Sequence, residues 1–258
     1  MAKTLDGKSA LVTGGAGGFG SNSARLLARD GAAVTLMGRS TESLAAAAAK
    51  IRGEFPQAQV AVHPGDAMRD EDMRAAVAAA VEHGGGLDIV VATVGGGGGG
   101  GRIADLTGDQ FMHQVEFNLR PAFLAIHEAI PAMPGGGSFV FISSTAAAIT
   151  FKTLSGYCAG KAALDHLMRC AADELGEKGF RFNAVRPGLT RTPATPGLLS
   201  NTALVGKFLE RTPLGRTGEA EEIAEAVRYL AGPESSWTTG QSFAVDGGNE
   251  LRGAPPFG

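Results

Sequence analysis

Short apolar runs rich in Val and Ile alternate along this chain with longer Ala/Leu segments that carry charges at helical spacing. Unbroken apolar runs of strand length suit strands covered on both faces, and their alternation with helices is the pattern of repeated βα units around a parallel sheet. The pattern predicts strands at 10–13, 33–37, 60–63, 89–94, 138–143, 181–185 and 242–245. Helices are expected at 19–29, 42–53 and 71–83, as a pair covering 109–133, and at 156–177 and 220–231. The predicted fold is therefore α/β: a doubly wound parallel seven-stranded sheet with helices on both faces, built by residues 1–258 as one domain. Pro187, Pro193, Pro196 and Pro213 interrupt the first half of the stretch 187–232, which reads as an irregular, mobile flap rather than a packed element.

Seven consecutive glycines, Gly95 to Gly101, follow the fourth predicted strand. A domain linker at that point would cut one series of strands in half. In an open parallel sheet, ligands sit at the carboxyl ends of the strands, where connections must let backbone approach closely, and glycine suits that role. The run reads as the mouth of a binding site. Its surplus over what close approach requires predicts a loose rim.

Composition then narrows the partners. A chain of 258 residues that is 44% hydrophobic can bury one substantial core. Lys+Arg 23 against Asp+Glu 26 leaves a net charge of -3 with no basic block, which argues against nucleic acid and anionic membranes. The first residues have no apolar stretch of signal-peptide length and no apolar run reaches membrane length, so neither export nor a membrane span is expected. Cys158 and Cys170 form neither metal-ligand spacing nor a disulfide framework, so a reducing cytoplasm is the expected compartment. The five histidines are scattered without paired carboxylates, and no metal site is expected.

The segment LVTGGAGGFG, residues 11–20, joins the first strand to the first helix. Free N–H groups at a helix N-terminus offer partial positive charge to a pyrophosphate, so Gly14, Gly18, Phe19 and Gly20 are candidate dinucleotide contacts and the sheet reads as Rossmann-like. The second strand ends in LMGRST without an acid to select NAD. Arg39 could instead pair with a 2′-phosphate through its planar fork, aided by Ser40 and Thr41, which favours NADP(H) and leaves NAD(H) as the alternative. Asp66, with Ala67 beside it, is placed to meet the adenine, although Asp66 could equally serve as a helix cap. Gly95 completes this set at the fourth strand.

Proton chemistry is suggested further along. Tyr157 and Lys161 are four apart on a predicted helix and share one face. Lowering a phenol pKa by about three units takes roughly 4 kcal/mol. An ammonium about 4 Å away supplies a term of that order at an effective dielectric near 20. The pair is a plausible acid/base. Ser143 and Ser144 end the fifth strand at the same edge, where a hydroxyl could meet a substrate oxygen, and Asn118 faces that edge from the preceding helix.

Thr13-Gly14 with Gly18 and Gly20 (TGxxxGxG), Asn118, Ser144, the YxxxK motif of Tyr157 and Lys161, NAVRPGLTRT and VDGG together resemble the short-chain dehydrogenase/reductase family over about residues 5–250. The resemblance implies an oxidoreductase that moves hydride between a nicotinamide and a small-molecule carbonyl or alcohol. It implies that Tyr157 exchanges the proton, Lys161 lowers its pKa and holds the nicotinamide ribose, Ser144 polarises the carbonyl, and Asn118 anchors a water. Pro187 and Gly188 would close over the nicotinamide, with Thr190 and Thr192 near its carboxamide and phosphates, and the implied assembly is a homotetramer or homodimer. Two departures stand out. The family's NNAG is here Ala92, Thr93, Val94, Gly95, so two stiffening amides are missing and a looser cofactor edge is expected. Gly160 replaces a serine, which costs about 1 kcal/mol of helix propensity and is expected to remove a hydroxyl from the site. A nucleotide-binding protein without turnover is disfavoured by the joint presence of the four proton-handling residues. A sugar-nucleotide epimerase is disfavoured by the ten residues after Gly248, too few for a substrate domain. Trp237 and Phe243 are expected in the core or a subunit contact, and the tail 251–258 across a neighbouring subunit or the site mouth.

Overall fold

A computed structural model describes residues 4–254. The chain runs β1 (Ser9–Thr13), α1 (Gly18–Arg29), β2 (Ala33–Gly38), α2 (Thr41–Glu54), β3 (Val60–Pro64), α3 (Asp70–Gly84), β4 (Ile89–Ala92), α4 (Gly108–Ala129), β5 (Gly137–Ile142), α5 (Ser155–Leu175) and β6 (Phe180–Pro187). It continues through β7 (Thr190–Arg191), α6 (Pro196–Ser200), α7 (Thr202–Glu210), β8 (Gly218–Glu219), α8 (Ala220–Ala231), β9 (Ser242–Val245) and α9 (Asn249–Arg252). Seven strands form one parallel sheet in the order β3-β2-β1-β4-β5-β6-β9, and β7 and β8 pair separately.

The unbroken apolar runs have a direct cause. Successive strand residues point to opposite faces, and here both faces are buried. Leu11, Val90, Phe139 and Phe141 enter the core shared with α3, α4 and α5. Their neighbours Val12, Val91, Val140 and Ile142 enter the core shared with α1, α2 and α8. Strand order reverses between β1 and β4, which pair from Ala10↔Ile89 to Thr13↔Ala92. A crevice therefore opens beyond Thr13 and Ala92, where open α/β sheets bind ligands.

Three expectations are corrected. The region 109–133 is one helix, α4, followed by a single 3-10 turn, although Pro121 lies inside it. Proline removes one helical bond, but Asn118, Pro121, Ala122, Ala125 and Ala129 continue one buried face across it, and that packing holds the helix together. The flap is also more ordered than its prolines suggest: Pro196 opens α6, and Phe208 of α7 is buried. Proline at a first helical position costs nothing there because that N–H would be unpaired anyway. Finally, of the two placements expected for Trp237 and Phe243, core or subunit contact, the core is the one corrected: Trp237 is 100% exposed and Phe243 39% exposed. Phe243 is exposed because β9 is an edge strand, paired among the described residues only with β6, and Trp237 lies in the turn that precedes it. Of the tail, residues 255–258 lie outside the described residues, and Leu251 is exposed. No helix among the described residues is long and apolar enough to cross a membrane.

Candidate active site

The first βα turn is shaped by contacts that only glycine permits. Gly14 has φ +65°, and a Cβ there would fall 2.4 Å from Thr93 Oγ1. At Gly20 a Cβ would lie 2.2 Å from the Gly14 carbonyl oxygen, so the turn folds directly onto the start of α1. Among the described residues, the N–H groups of Gly18, Phe19 and Gly20 have no hydrogen-bond acceptor, and no side chain caps the helix. Gly18, Phe19 and Gly20 line a cavity that meets, at Gly17, Thr93 and Gly95, a groove of ≈ 1010 Å³ lined by Gly14, Arg39, Ser40, Asp66 and Ala67. Unpaired donors at the end of this groove fit the pyrophosphate of a dinucleotide. Arg39 is exposed on the rim and has no ion-pair partner among the described residues. Ser40 caps α2 by accepting from the Ser43 N–H at 3.1 Å, which leaves its own proton to donate. One Asp66 carboxylate oxygen accepts from the Met68 N–H at 3.0 Å, so the residue braces its own turn while lining the groove.

The expected looseness at the end of β4 is not what the structure has. Thr93 Oγ1 donates to the Thr13 carbonyl at 2.7 Å, so a hydroxyl ties β4 to β1 where the family's amides would stand. The glycine run is tethered at both ends. The Gly96 N–H donates to Asn118 Oδ1 at 2.9 Å, and the Gly101 N–H donates to the Thr153 carbonyl at 2.8 Å. Thr153 is the one non-glycine residue with positive φ (67°) among the described residues, an uncommon state for a β-branched side chain.

Asn118, Ser144, Tyr157 and Lys161 come together at the carboxyl edge of the sheet. Asn118 is buried, and its Nδ2 donates to the carbonyls of Gly96 at 3.1 Å and Gln114 at 2.8 Å. With both donors used and Oδ1 accepting from Gly96, this amide clasps the glycine run to α4. A water held there would have to use the remaining Oδ1 lone pair. Lys161 is buried, and its Nζ donates to the Ile142 carbonyl at 2.8 Å. Burial pulls the amine down from 10.5 to about 8, partly opposed by the Asp165 carboxylate one turn on. Asp165 is itself buried and accepts from Ser242 Oγ at 2.8 Å, with Arg186 Nη1 at 3.4 Å.

Tyr157 departs from the electrostatic expectation. Lys161 Nζ lies 6.0 Å from the phenol ring centroid, not in direct contact. Burial pushes the phenol above its ordinary 10.0, a nearby Ser144 hydrogen bond pulls it down, and Cys158 adds a smaller upward push. The chain by itself therefore keeps Tyr157 protonated at neutral pH. Ser144 also accepts from the Ala146 N–H at 3.1 Å, whereas the Ser143 hydroxyl is buried with no partner among the described residues. Gly160 does not remove a hydroxyl from the cavity as expected. A Cβ there would lie 2.9 Å from the Asn118 Cβ and 3.1 Å from the Val115 carbonyl oxygen, so position 160 faces α4 and is small because the helices cross closely.

A second cavity of ≈ 450 Å³ adjoins these residues and is lined by Phe19, Ser143, Ser144, Tyr157, Pro187 and Gly188, among others. Thr190 and Thr192 line it too, but their side chains are engaged. Thr190 Oγ1 donates to the Gly188 carbonyl at 2.9 Å, and Thr192 Oγ1 sits 3.2 Å from Thr195 Oγ1. Thr195 lies within the flap, 189 to about 207, that the sequence places on the pocket, whereas Phe208 is a cavity residue just beyond it that reasoning from the sequence did not single out. No motif marks Thr195, and Phe208 reaches the site only because α7 folds back over it, with its ring 6.1 Å from that of Phe151.

A family model described as Enoyl-(Acyl carrier protein) reductase matches residues 14–250. The chain is 32% identical over 256 residues to cyclohexanol dehydrogenase of Acinetobacter sp. (strain SE19), covering 96% of each chain. It is 36% identical over 255 residues to trans-4-hydroxycyclohexanecarboxylate dehydrogenase of Sinomonas cyclohexanicum, covering 95% of each. Among solved structures, a short-chain type dehydrogenase/reductase from Mycobacterium ulcerans is similar with a TM-score of 0.94 and 35% identity, over 98% of this chain and 94% of that one.

Proposed function

From the premise that the chain belongs to the short-chain dehydrogenase/reductase family, oxidoreductases that use nicotinamide dinucleotides, we propose that it reduces a ketone to a secondary alcohol with NADPH, with Tyr157 as the proton donor. The observation that carries this reading is the placement of the Tyr157 phenol, the Ser144 hydroxyl and the buried Lys161 amine on one cavity. Bound coenzyme supplies the hydride chemistry; the chain's own residues manage the oxygen and the proton. Ser144 donates to the carbonyl oxygen and fixes its position. As charge develops on that oxygen, Tyr157 gives up its phenolic proton. The raised phenol suits this direction, because a general acid must be protonated before it acts. Lys161 stabilises the phenolate left behind, and its charge declines as pH rises through about 8. Alcohol oxidation, which needs the phenolate first, is therefore slower at neutral pH. Asn118 holds Gly96 and so the wall beside the reacting atoms.

Coenzyme choice rests on Arg39, whose unpaired guanidinium on the groove rim is suited to a 2′-phosphate, with NAD(H) the alternative. Assembly as a homotetramer across α4 and α5 is proposed by family analogy, supported by Met112 and Phe123 exposed on α4. The free thiols Cys158 and Cys170 suit a reducing cytoplasm.

Paired variants test the reading. Tyr157→Phe should cut turnover about 100-fold or more while NADPH still quenches or shifts protein fluorescence as in the wild type. Arg39→Asp should move the ratio of NADPH to NADH efficiency toward NADH. Undiminished turnover in the first variant removes Tyr157 from the proton step, and an unchanged coenzyme ratio in the second removes Arg39 from selection.

A further inference from the structure

The cavity beside Ser144 and Tyr157 is almost without charge. Among the described residues lining it, Lys161 is the sole charged side chain, and it is buried at the Tyr157 end with its Nζ bonded to the Ile142 carbonyl. Its large apolar side chains include Phe151, Leu154, Leu189, Leu198 and Phe208. Opposite stands the start of the glycine run, which contributes backbone alone. A Cβ at Gly97 would sit 3.7 Å from the Tyr157 ring, so the bare chain there keeps open a space next to the phenol that any other residue would fill. Polar capacity is small. The hydroxyls of Thr190, Thr192 and Thr195 are occupied by neighbouring backbone and by one another, and Thr93 Oγ1 donates to the Thr13 carbonyl, which leaves the hydroxyls of Ser143 and Thr145, on either side of Ser144, uncommitted among the described residues.

We infer that the substrate is an uncharged ketone or secondary alcohol with an apolar body, and that a carboxylate-bearing analogue of the same shape is rejected; this rests on the reading of the cavity as the reaction site. A buried carboxylate keeps its ionised form only if a cation or several donors replace its water. The end of the cavity formed by Phe151, Leu154, Leu198 and Phe208, away from Lys161 and the first βα turn, offers neither among its side chains. A sugar fares little better, because its ring hydroxyls would lie along the Phe and Leu wall, away from the free hydroxyls of Ser143 and Thr145 beside Ser144. The apolar body instead gains from leaving water, and its reactive oxygen is the part that meets Ser144 and Tyr157.

Two cyclohexanones make the test, one carrying a methyl group and the other a carboxylate on the ring carbon opposite the carbonyl. Initial rates are measured with the whole protein and NADPH or NADH, and the corresponding alcohols are followed in reverse. The methyl compound should exceed the carboxylate in kcat/KM by about 100-fold, the selectivity expected when one charge is buried unpaired. Leu198 is 37% exposed and Ala194 also lies exposed on the cavity lining, so both positions tolerate a cation. Leu198→Arg, or Ala194→Lys as the milder variant, should narrow the gap by about tenfold through pairing with the carboxylate. Equal use of both ketones by the wild type overturns the inference and leaves the oxidoreductase reading intact. A gap that neither variant narrows also overturns it, because shape and not charge would then set the preference. If no ketone or alcohol is turned over with either coenzyme, the underlying reading fails and the inference falls with it.

Discussion

Two glycine-rich connections meet at the same edge of the sheet, and they use glycine for different reasons. In the turn between β1 and α1, close packing excludes a side chain at each glycine of the motif: Gly14 against the Thr93 hydroxyl at 2.4 Å, Gly18 against the Thr192 side chain at 2.8 Å, and Gly20 against the Gly14 carbonyl oxygen at 2.2 Å. Even Gly15, which has no place in the motif, would press a Cβ to 2.8 Å from the Leu36 Cβ. The run after β4 is mixed. Gly95 (φ +152°) and Gly100, whose Cβ would fall 2.4 Å from the Thr153 carbonyl oxygen, are constrained in the same way, and Gly99 has φ +79°. Gly96 and Gly97 face only ordinary contacts with the Phe117 and Tyr157 rings, and nothing lies within 4 Å of a Cβ at Gly98. The first connection is thus glycine-rich to let the chain touch itself. The second is glycine-rich partly to leave space beside the phenol.

The contrast is broken most severely at Gly20. Gly20→Ala forces the start of α1 away from the Gly14 carbonyl, and with it the N–H groups of Gly18 to Gly20. Affinity for NADPH should fall by about 100-fold, a loss on the scale of two or three hydrogen bonds to charged groups. Titration of protein fluorescence with NADPH measures it, and an unchanged Kd would mean that these donors do not hold the coenzyme. Gly95→Ala is the intermediate case. Its Cβ would come within 2.7 Å of Asn118 Oδ1 and 2.9 Å of Lys161 Nζ, which are side-chain ends and can give way, but only by loosening the clasp on Gly96 or the bond to Ile142. A drop of about tenfold in kcat, with a smaller change in coenzyme affinity, is expected from displacement of positioned groups. Equal losses in both would place the damage in the backbone of the run instead of in the two side chains.

Much of this division was readable before the structure. The βα rhythm gave the order of elements because both faces of the sheet are buried, and Tyr157 and Lys161 were visible because helix geometry links residues four apart. Ser144 stood out because its strand ends at the same edge. What spacing could not show was environment. The upward shift of the Tyr157 phenol follows from burial beneath Phe- and Leu-lined walls drawn from distant segments, and the weakened Lys161 amine has the same cause. Thr93 took over a cross-strand bond that amides make elsewhere, and a lone threonine carries no signature of that. At Gly160 the sequence pattern points to a lost hydroxyl, whereas the residue is small because α4 packs against it. The continuity of α4 through Pro121 was hidden for the same reason, since the compensation comes from a neighbouring helix.

The mildest perturbation tests the spare part of the second connection. Gly98 has no positive φ and no neighbour near its missing side chain, so alanine there collides with nothing in the chain itself. Replacing such a glycine restricts the unfolded chain more than the folded one, and Gly98→Ala should raise stability by about 0.4–1 kcal/mol in urea unfolding. The kcat and the NADPH affinity should stay within about twofold of the wild type, the range of substitutions that touch no special feature. Hydrogen exchange gives the matching readout in the unaltered chain: Gly96 and Gly101, whose N–H groups are bonded to Asn118 and Thr153, should exchange more slowly than Gly98. A gain in stability accompanied by a large loss of ketone turnover would show that the bare backbone at Gly98, like that at Gly97, is kept open for a bound molecule, and the boundary between constrained and space-leaving glycines would then move further along the run.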